Sequence, residues 1–162
     1  MVLMNIGKRL VFSLVMPCGP GSNDTIKKAI DSIRDQDFEK WELIIVINGQ
    51  WEERMVTEKI IEKYVKKDKR IKLLKLELGN VCTARNYGAE SATGRYISFF
   101  SSDFYMYPGA LRKWEKTFKE HPAADFIYSG YGLMDHGKQI GNLFSEPFDP
   151  WRLKIENYID GG

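Results

Sequence analysis

Two cysteines and two histidines are all that this chain carries of either residue. Cys18 and Cys82 show no Cys-x-x-Cys or Cys/His spacing, and neither lies near His121 or His136, so a structural zinc centre is not expected. Nothing resembles a disulfide framework, and a reducing compartment is the simpler setting. Long apolar runs are missing as well. Lys8-Arg9 followed by Leu10 to Met16 imitates the start of a secretory leader. That run stops at Pro17 after about seven residues, the short limit for a leader's apolar core, and no small-residue cleavage site follows. It is expected to be a first strand instead. No segment approaches the roughly 20 apolar residues of a membrane span. The expected location is cytoplasmic, in solution or at the inner face of a membrane.

Charge of one sign is also lacking. Lys and Arg total 24 against 22 for Asp and Glu, a net +2. A nucleic-acid binder would show a basic stripe, so no such partner is expected. The glycine patterns are incomplete. Gly19-Pro-Gly21 lacks the third glycine of a dinucleotide fingerprint, and the second strand ends in Asn48 rather than a ribose-binding acid. That disfavours a dehydrogenase and makes Pro17 to Gly21 a tight turn. No phosphate-cradling P-loop is present.

What remains is a chain of 162 residues, 43% hydrophobic, enough for one domain with a real core. Short apolar runs alternate with helical patterns, the sign of βαβ units and a mostly parallel sheet in a three-layer α/β/α, Rossmann-like arrangement. Strands are expected at Leu10 to Met16, Leu43 to Ile47, Ile71 to Leu76 and Tyr96 to Phe100. Ser22, Asn23 or Asp24 can cap a helix whose stripe is Ile26, Ala29, Ile30 and Ile33. A charged helix, Glu52 to Lys67, turns Val56, Ile60, Ile61, Tyr64 and Val65 inward. Val81, Ala84, Gly88 and Ala92 mark a helix of small residues, and Pro108 opens one with Leu111, Trp114 and Phe118. Farther on come a strand at Phe126 to Ser129 and a hairpin of Tyr131 to Met134 with Gln139 to Leu143 around His136-Gly137. A turn and final helix follow over Pro147 to Tyr158.

The loops after strands one, two and four open on one sheet edge, where α/β folds bind ligands. Pro17 to Gly21, Asn48 to Gln50 and Ser101 to Asp103 therefore converge. The run Gly94 to Asp103 reads as a buried central strand ending in a single carboxylate. Such a carboxylate facing a nucleotide's phosphates holds a divalent metal. Arg85, in the first turns of its helix, either reaches an anion from there or is a surface arginine. Asn48 is either a turn residue or a reader of base and ribose. Trp51, Tyr105 and Tyr107 either stack on a ligand or pack.

Residues 10 to 130 resemble the nucleotide-sugar half of family 2 glycosyltransferases, inverting enzymes of the GT-A fold. The landmarks stand in order: Val11 to Pro20, Ser32-Ile33-Arg-Asp-Gln36-Asp-Phe38, Trp41 to Asn48-Gly49, Gly79-Asn80, Ala84-Arg85-Asn86-Tyr-Gly88, Ala92 to Asp103, then Pro108 and Leu111. The resemblance implies a nucleotide-sugar-binding core over residues 10–130, with a hairpin and the start of an acceptor region over 131–162. By position it implies that Pro17, Cys18, Gly19, Asn48, Arg85, Ser102 and Asp103 hold a nucleotide sugar, a UDP-sugar in the first instance. Asp103 would hold a divalent cation, Mn2+ or Mg2+, against the diphosphate.

Two departures accompany it. Ser101 stands where the first acid of Asp-x-Asp would be, and Ile47-Asn48 replaces the acidic pair after the second strand. The family's acceptor half follows the segment resembling Asn157-Tyr158-Ile159, so the chain is expected to be truncated before it. No catalytic base is identifiable; Asp135 and Glu146 lie in the right region without a specific signal. Two functions remain in view. One is sugar transfer, with inversion, to a hydroxyl of a glycan or lipid-linked acceptor. The other is a degenerate module that binds a nucleotide sugar or a partner protein without turnover.

Overall fold

A computed structural model of the chain describes residues 10–19, 22–77, 79–135, 138–143 and 146–154. The chain falls into two compact units, Met1–Glu115 and Lys116–Gly162. The first unit is built on four parallel strands, β1 (Phe12–Cys18), β2 (Trp41–Asn48), β3 (Ile71–Leu76) and β4 (Tyr96–Phe99), in the order β3-β2-β1-β4. Between them run α1 (Ile26–Arg34), α2 (Trp51–Lys67) and α3 (Val81–Glu90), and α4 (Ala110–Glu120) follows β4. All of β2 except Asn48 is buried, as are Phe12 to Met16 in β1. That is the signature of central strands covered on both faces, for which an unbroken Leu-Ile-Ile-Val-Ile run is well suited.

Side-chain alternation sorts the helices. Phe12 meets Phe38 and Trp114 at ring-centroid distances of 5.7 and 5.9 Å, which puts the Phe12, Leu14 and Met16 face under α1 and α4. Tyr64 of α2 donates to Asp31 of α1 at 3.1 Å, so α2 shares that side. The opposite face carries Val15, Ile44 and Val46 and receives α3 through Ala84 and Gly88. A Cβ on Gly88 would fall 2.4 Å from Val15 Cγ1 and 3.0 Å from Val46 Cγ2. Only glycine lets the helix come that close. The chain thus crosses on one face through α1 and α2 and on the other through α3. The order of strands reverses between β1 and β4, which is a topological switch point.

Several expectations change. Pro17 and Cys18 lie inside β1, paired with Val46 and Ile47, rather than in a turn. A proline is tolerated there because Val15 already hands its carbonyl to Phe100. Pro17 faces the same way two residues on, past the last residue of β4 in the ladder, where no N–H is called for. The inner side of α2 is largely polar: Arg54, Thr57 and Glu58 are buried beside Ile61, which was expected there, while Val56 is 53% exposed. Arg54 donates to the Leu76 carbonyl at 3.2 Å, and Lys75 is paired with Glu58. Val56 is the residue that departs from the expected stripe, because hydrogen-bonded polar groups fill much of the buried side.

β4 is an edge strand among the described residues, not a central one. Its outer face is open, with Ile97 47% and Phe99 40% exposed. The cap of α1 falls on Thr25 without a side-chain hydrogen bond. Ser22 and Asn23 spend their side chains on Gly19 and Thr57 instead. Pro108 and Gly109 form a turn one step ahead of α4. In the second unit, β5 (Tyr131–Asp135) and β6 (Lys138–Leu143) pair antiparallel. The stretch expected as a strand, Phe126 to Ser129, has no ladder. Phe126 instead packs edge-on against Phe148 at 5.7 Å. A short 3-10 turn, Arg152–Lys154, stands where a helix was expected to begin. The His136-Gly137 tip and the rest of that expected helix lie outside the described residues.

At the N-terminal ends of the strands sits a buried carboxylate, Glu42. It accepts from Ser13 Oγ, Lys72 Nζ, Thr93 N and Thr93 Oγ1, each at 2.7 Å. Ser13 Oγ in turn accepts from Gly94 N at 2.8 Å. Burial alone would raise the Glu42 carboxyl, but the Lys72, Ser13 and Thr93 hydrogen bonds together outweigh it and hold it at about 2. One side chain thereby ties β1, β2, β3 and the entry to β4.

Candidate functional site

The C-terminal ends of β1 and β4 flank the switch point, and a chain of small polar contacts joins them. Ser22 Oγ donates to the Gly19 carbonyl at 3.1 Å, and Ser102 Oγ donates to Ser22 Oγ at 3.1 Å. The Cys18 thiol shares hydrogen bonds with the same two serines. Burial pushes this thiol up, against the lowering effect of those hydroxyls, so it stays a neutral thiol at physiological pH. The floor of the crevice is therefore uncharged.

Asn48, the last residue of β2, leans toward this floor. A Cβ on Gly19 would stand 3.8 Å from Asn48 Oδ1. Asn48 Nδ2 donates to the Gly79 carbonyl at 3.3 Å. Gly79 has φ +154°, and a Cβ there would fall 2.7 Å from Leu76 Cδ2. Asn80 then caps α3, its Oδ1 accepting from Thr83 N at 3.0 Å. The turns after β1 and β2 and the start of α3 are thus tied together.

Arg85 lies on α3, one turn from Gly88, with its guanidinium 5.7 Å from the centre of the Phe99 ring. That places it over the open face of β4, near the strand's C-terminal end. Asp103 follows Ser102 directly and is exposed, as are Phe104, Tyr105 and Tyr107. Trp51 is the first residue of α2, and its side chain lies outside the described residues. The expected residues Cys18, Gly19, Asn48 and Ser102 come together in a single cluster. Pro17 is half-buried within β1, next to that cluster. Ser22 was missed, because a serine ahead of a helix reads as a cap. Its true partners, Gly19 and Ser102, are visible only once the strand order is known.

Among the described residues no group of three or more His, Cys, Asp or Glu side chains could hold a metal ion by itself. One carboxylate, preceded in the chain by Ser101 and Ser102, still suits a hard cation that brings most of its ligands as phosphate oxygens and water. The neutral Cys18 thiol is no competitor for it. Of the two carboxylates considered as bases, Glu146 is bound to Arg152, and Asp135 ends β5 in the second unit.

A family model described as Glycosyl transferase family 2 matches residues 13–157. The chain belongs to this family. A Bacillus subtilis (strain 168) protein named as the teichuronic acid biosynthesis glycosyltransferase TuaG is 34% identical over 114 residues, covering 70% of this chain and 44% of the relative. A second protein of that organism, named as the glycosyltransferase EpsH, is 34% identical over 125 residues, 76% of this chain and 35% of its own length. The fold is the GT-A fold. S. aureus TarS 1-349 in complex with UDP superposes with a TM-score of 0.65 at 25% identity, covering 80% of this chain and 38% of that one. A complex of the same protein with UDP-GlcNAc gives the same score. The chain spans less than half the length of these relatives. No helix among the described residues is long and apolar enough to cross a membrane.

Proposed function

We propose that this chain is the donor-binding portion of a glycosyltransferase. It holds a nucleotide diphosphate sugar, a UDP-sugar, from which the sugar passes with inversion to a hydroxyl of a glycan or lipid-linked acceptor. The observation that carries this reading is the junction of Cys18, Gly19, Ser22 and Ser102 at the switch point, with Asn48 beside it and Asp103 next in sequence. The TarS complexes with UDP and UDP-GlcNAc support the choice of ligand.

In this reading Pro17 to Gly19 and Asn48 line the nucleoside side, and the uncharged floor suits a base and ribose. Ser102 and Asp103 face the diphosphate, and Arg85 approaches it from α3. The acceptor oxygen forms a bond to the anomeric carbon as the bond from that carbon to the phosphate oxygen breaks. The acceptor's proton goes to a base, and the nucleoside diphosphate leaves with the bonding pair. A Mn2+ or Mg2+ ion, when bound, supplies positive charge to the leaving diphosphate. Asp103 is the carboxylate that would hold it, with phosphate oxygens and water supplying the other ligands.

Calorimetric titration of UDP and UDP-GlcNAc, each with and without Mn2+, tests the proposal. UDP should bind more tightly with Mn2+. Asp103→Ala should remove that gain, and Mn2+ alone should give no measurable heat. Failure of both nucleotides to bind in either condition would overturn the reading. Ser101, standing where the family's first acid is expected, favours the alternative of a module that binds without turnover. That alternative predicts UDP binding indifferent both to Mn2+ and to Asp103→Ala.

A further inference from the structure

The segment joining β4 to α4 is fastened at both ends of a short arch, and the far fastening belongs to residues the donor site does not otherwise use. Its near end is Ser102, held on Ser22. Its far end is Met106, whose backbone N–H donates to Ser32 Oγ at 3.0 Å. Between them Asp103, Phe104 and Tyr105 are all exposed. Beyond the arch, Gln36 Nε2 donates to the Tyr107 carbonyl and to the Ser32 carbonyl, both at 3.0 Å, and Gln36 Oε1 accepts from Leu111 N at 3.2 Å.

The Gln36 amide is buried, both of its donors end on carbonyls, and its oxygen takes an N–H. Its orientation is therefore dictated by its partners. The Ser32 carbonyl, in the last turn of α1, is a helix-end acceptor that needs such a donor. The sequence fragment Ser32-Ile33-Arg-Asp-Gln36 thus does two jobs. Ile33 packs under the sheet, while the two polar residues grip residues 106 to 111.

We propose that Ser32 and Gln36 are positioning residues for Asp103. They fix the far end of the arch, so that the carboxylate stands ready for a nucleotide-borne cation before the ligand arrives. This rests on the donor-binding reading above. A single carboxylate has no second acid to share the task of catching the cation. Any freedom in the arch must then be removed at the moment of binding, which weakens it.

The test is UDP titration, with and without Mn2+, of the wild-type chain and of Asp103→Ala, Ser32→Ala, Ser32→Thr and Gln36→Leu, with thermal unfolding of each. Ser32→Ala and Gln36→Leu should each reduce the Mn2+-dependent gain in UDP affinity by about tenfold, equivalent to one backbone residue left to be ordered on binding. Metal-free UDP affinity should stay within about twofold. Ser32→Thr keeps the acceptor oxygen and should restore the gain. A full Mn2+-dependent gain in both Ser32→Ala and Gln36→Leu, even with lowered unfolding temperatures, would reduce the two residues to scaffolding and overturn the inference. So would an equal loss of metal-free and metal-dependent binding. Absence of UDP binding by the wild-type chain would instead bring down the donor-binding reading itself.

Discussion

Cysteine chemistry separates at the level of single residues. Cys18 is buried in the floor of the crevice and its thiol is raised by that burial, while Cys82 sits exposed in the first turn of α3. Only the thiolate is nucleophilic. A thiol reagent should label Cys82 rapidly, and Cys18 only on the timescale of local opening. Mass spectrometry of the time course reads this directly, and rapid double labelling would contradict it. The identities of Cys18, Gly19, Asn48 and Ser102 as neighbours were legible in the sequence, since each ends or follows a strand whose C-terminal end lies on the same edge. The role of Ser22 was not. Its hydroxyl could serve the helix behind it or the loop ahead, and only the position of Ser102 decides between them.

Elements were legible where their pattern has a single meaning. Ile26, Ala29, Ile30 and Ile33 can form one stripe only in a helix, and all four are buried. In α2 the expected Ile61 is buried but Val56 is not, because much of the inner face is Arg54, Thr57 and Glu58, whose burial depends on partners in other elements. β4 was read as central because an aliphatic and aromatic run looks the same whether one or two faces are covered. The small-residue helix α3 was legible, and its reason is now specific. Gly88→Ala would drive a methyl group into Val15 and Val46, two β-branched side chains with little rotamer freedom. We expect a loss of about 1–3 kcal/mol, measured by urea unfolding. The helix would also lift at Gly88 and draw Arg85, one turn away, from its place over Phe99. Ligand affinity should fall with stability, although Gly88 itself lines no crevice.

At the scale of the whole sheet, the parallel topology was plain from the alternation of strands and helices, but the Glu42 network was invisible. A glutamate opening a buried strand gives no hint that Ser13, Lys72 and Thr93 will surround it from three other segments. Its carboxyl lies at about 2, below its ordinary value of 4.5. A lowered folded value means that the stabilisation is complete above about pH 4.5 and is lost as pH falls through about 2. Glu42→Gln should cost about 2 kcal/mol at neutral pH by setting amide protons against Lys72. The difference from the wild-type chain should shrink between about pH 4.5 and 2, as followed by urea unfolding across that range. A difference independent of pH would refute the assignment. The same sheet has a kinetic consequence. The bond from Ser13 to Glu42 spans 29 residues, whereas Gly94 to Ser13 spans 81 and Ser102 to Ser22 spans 80. Closing the longer loops costs more chain entropy and slows their formation. The β1–β2 ladder therefore zips early and β4 arrives late, so a nascent chain acquires its sheet before it acquires its crevice.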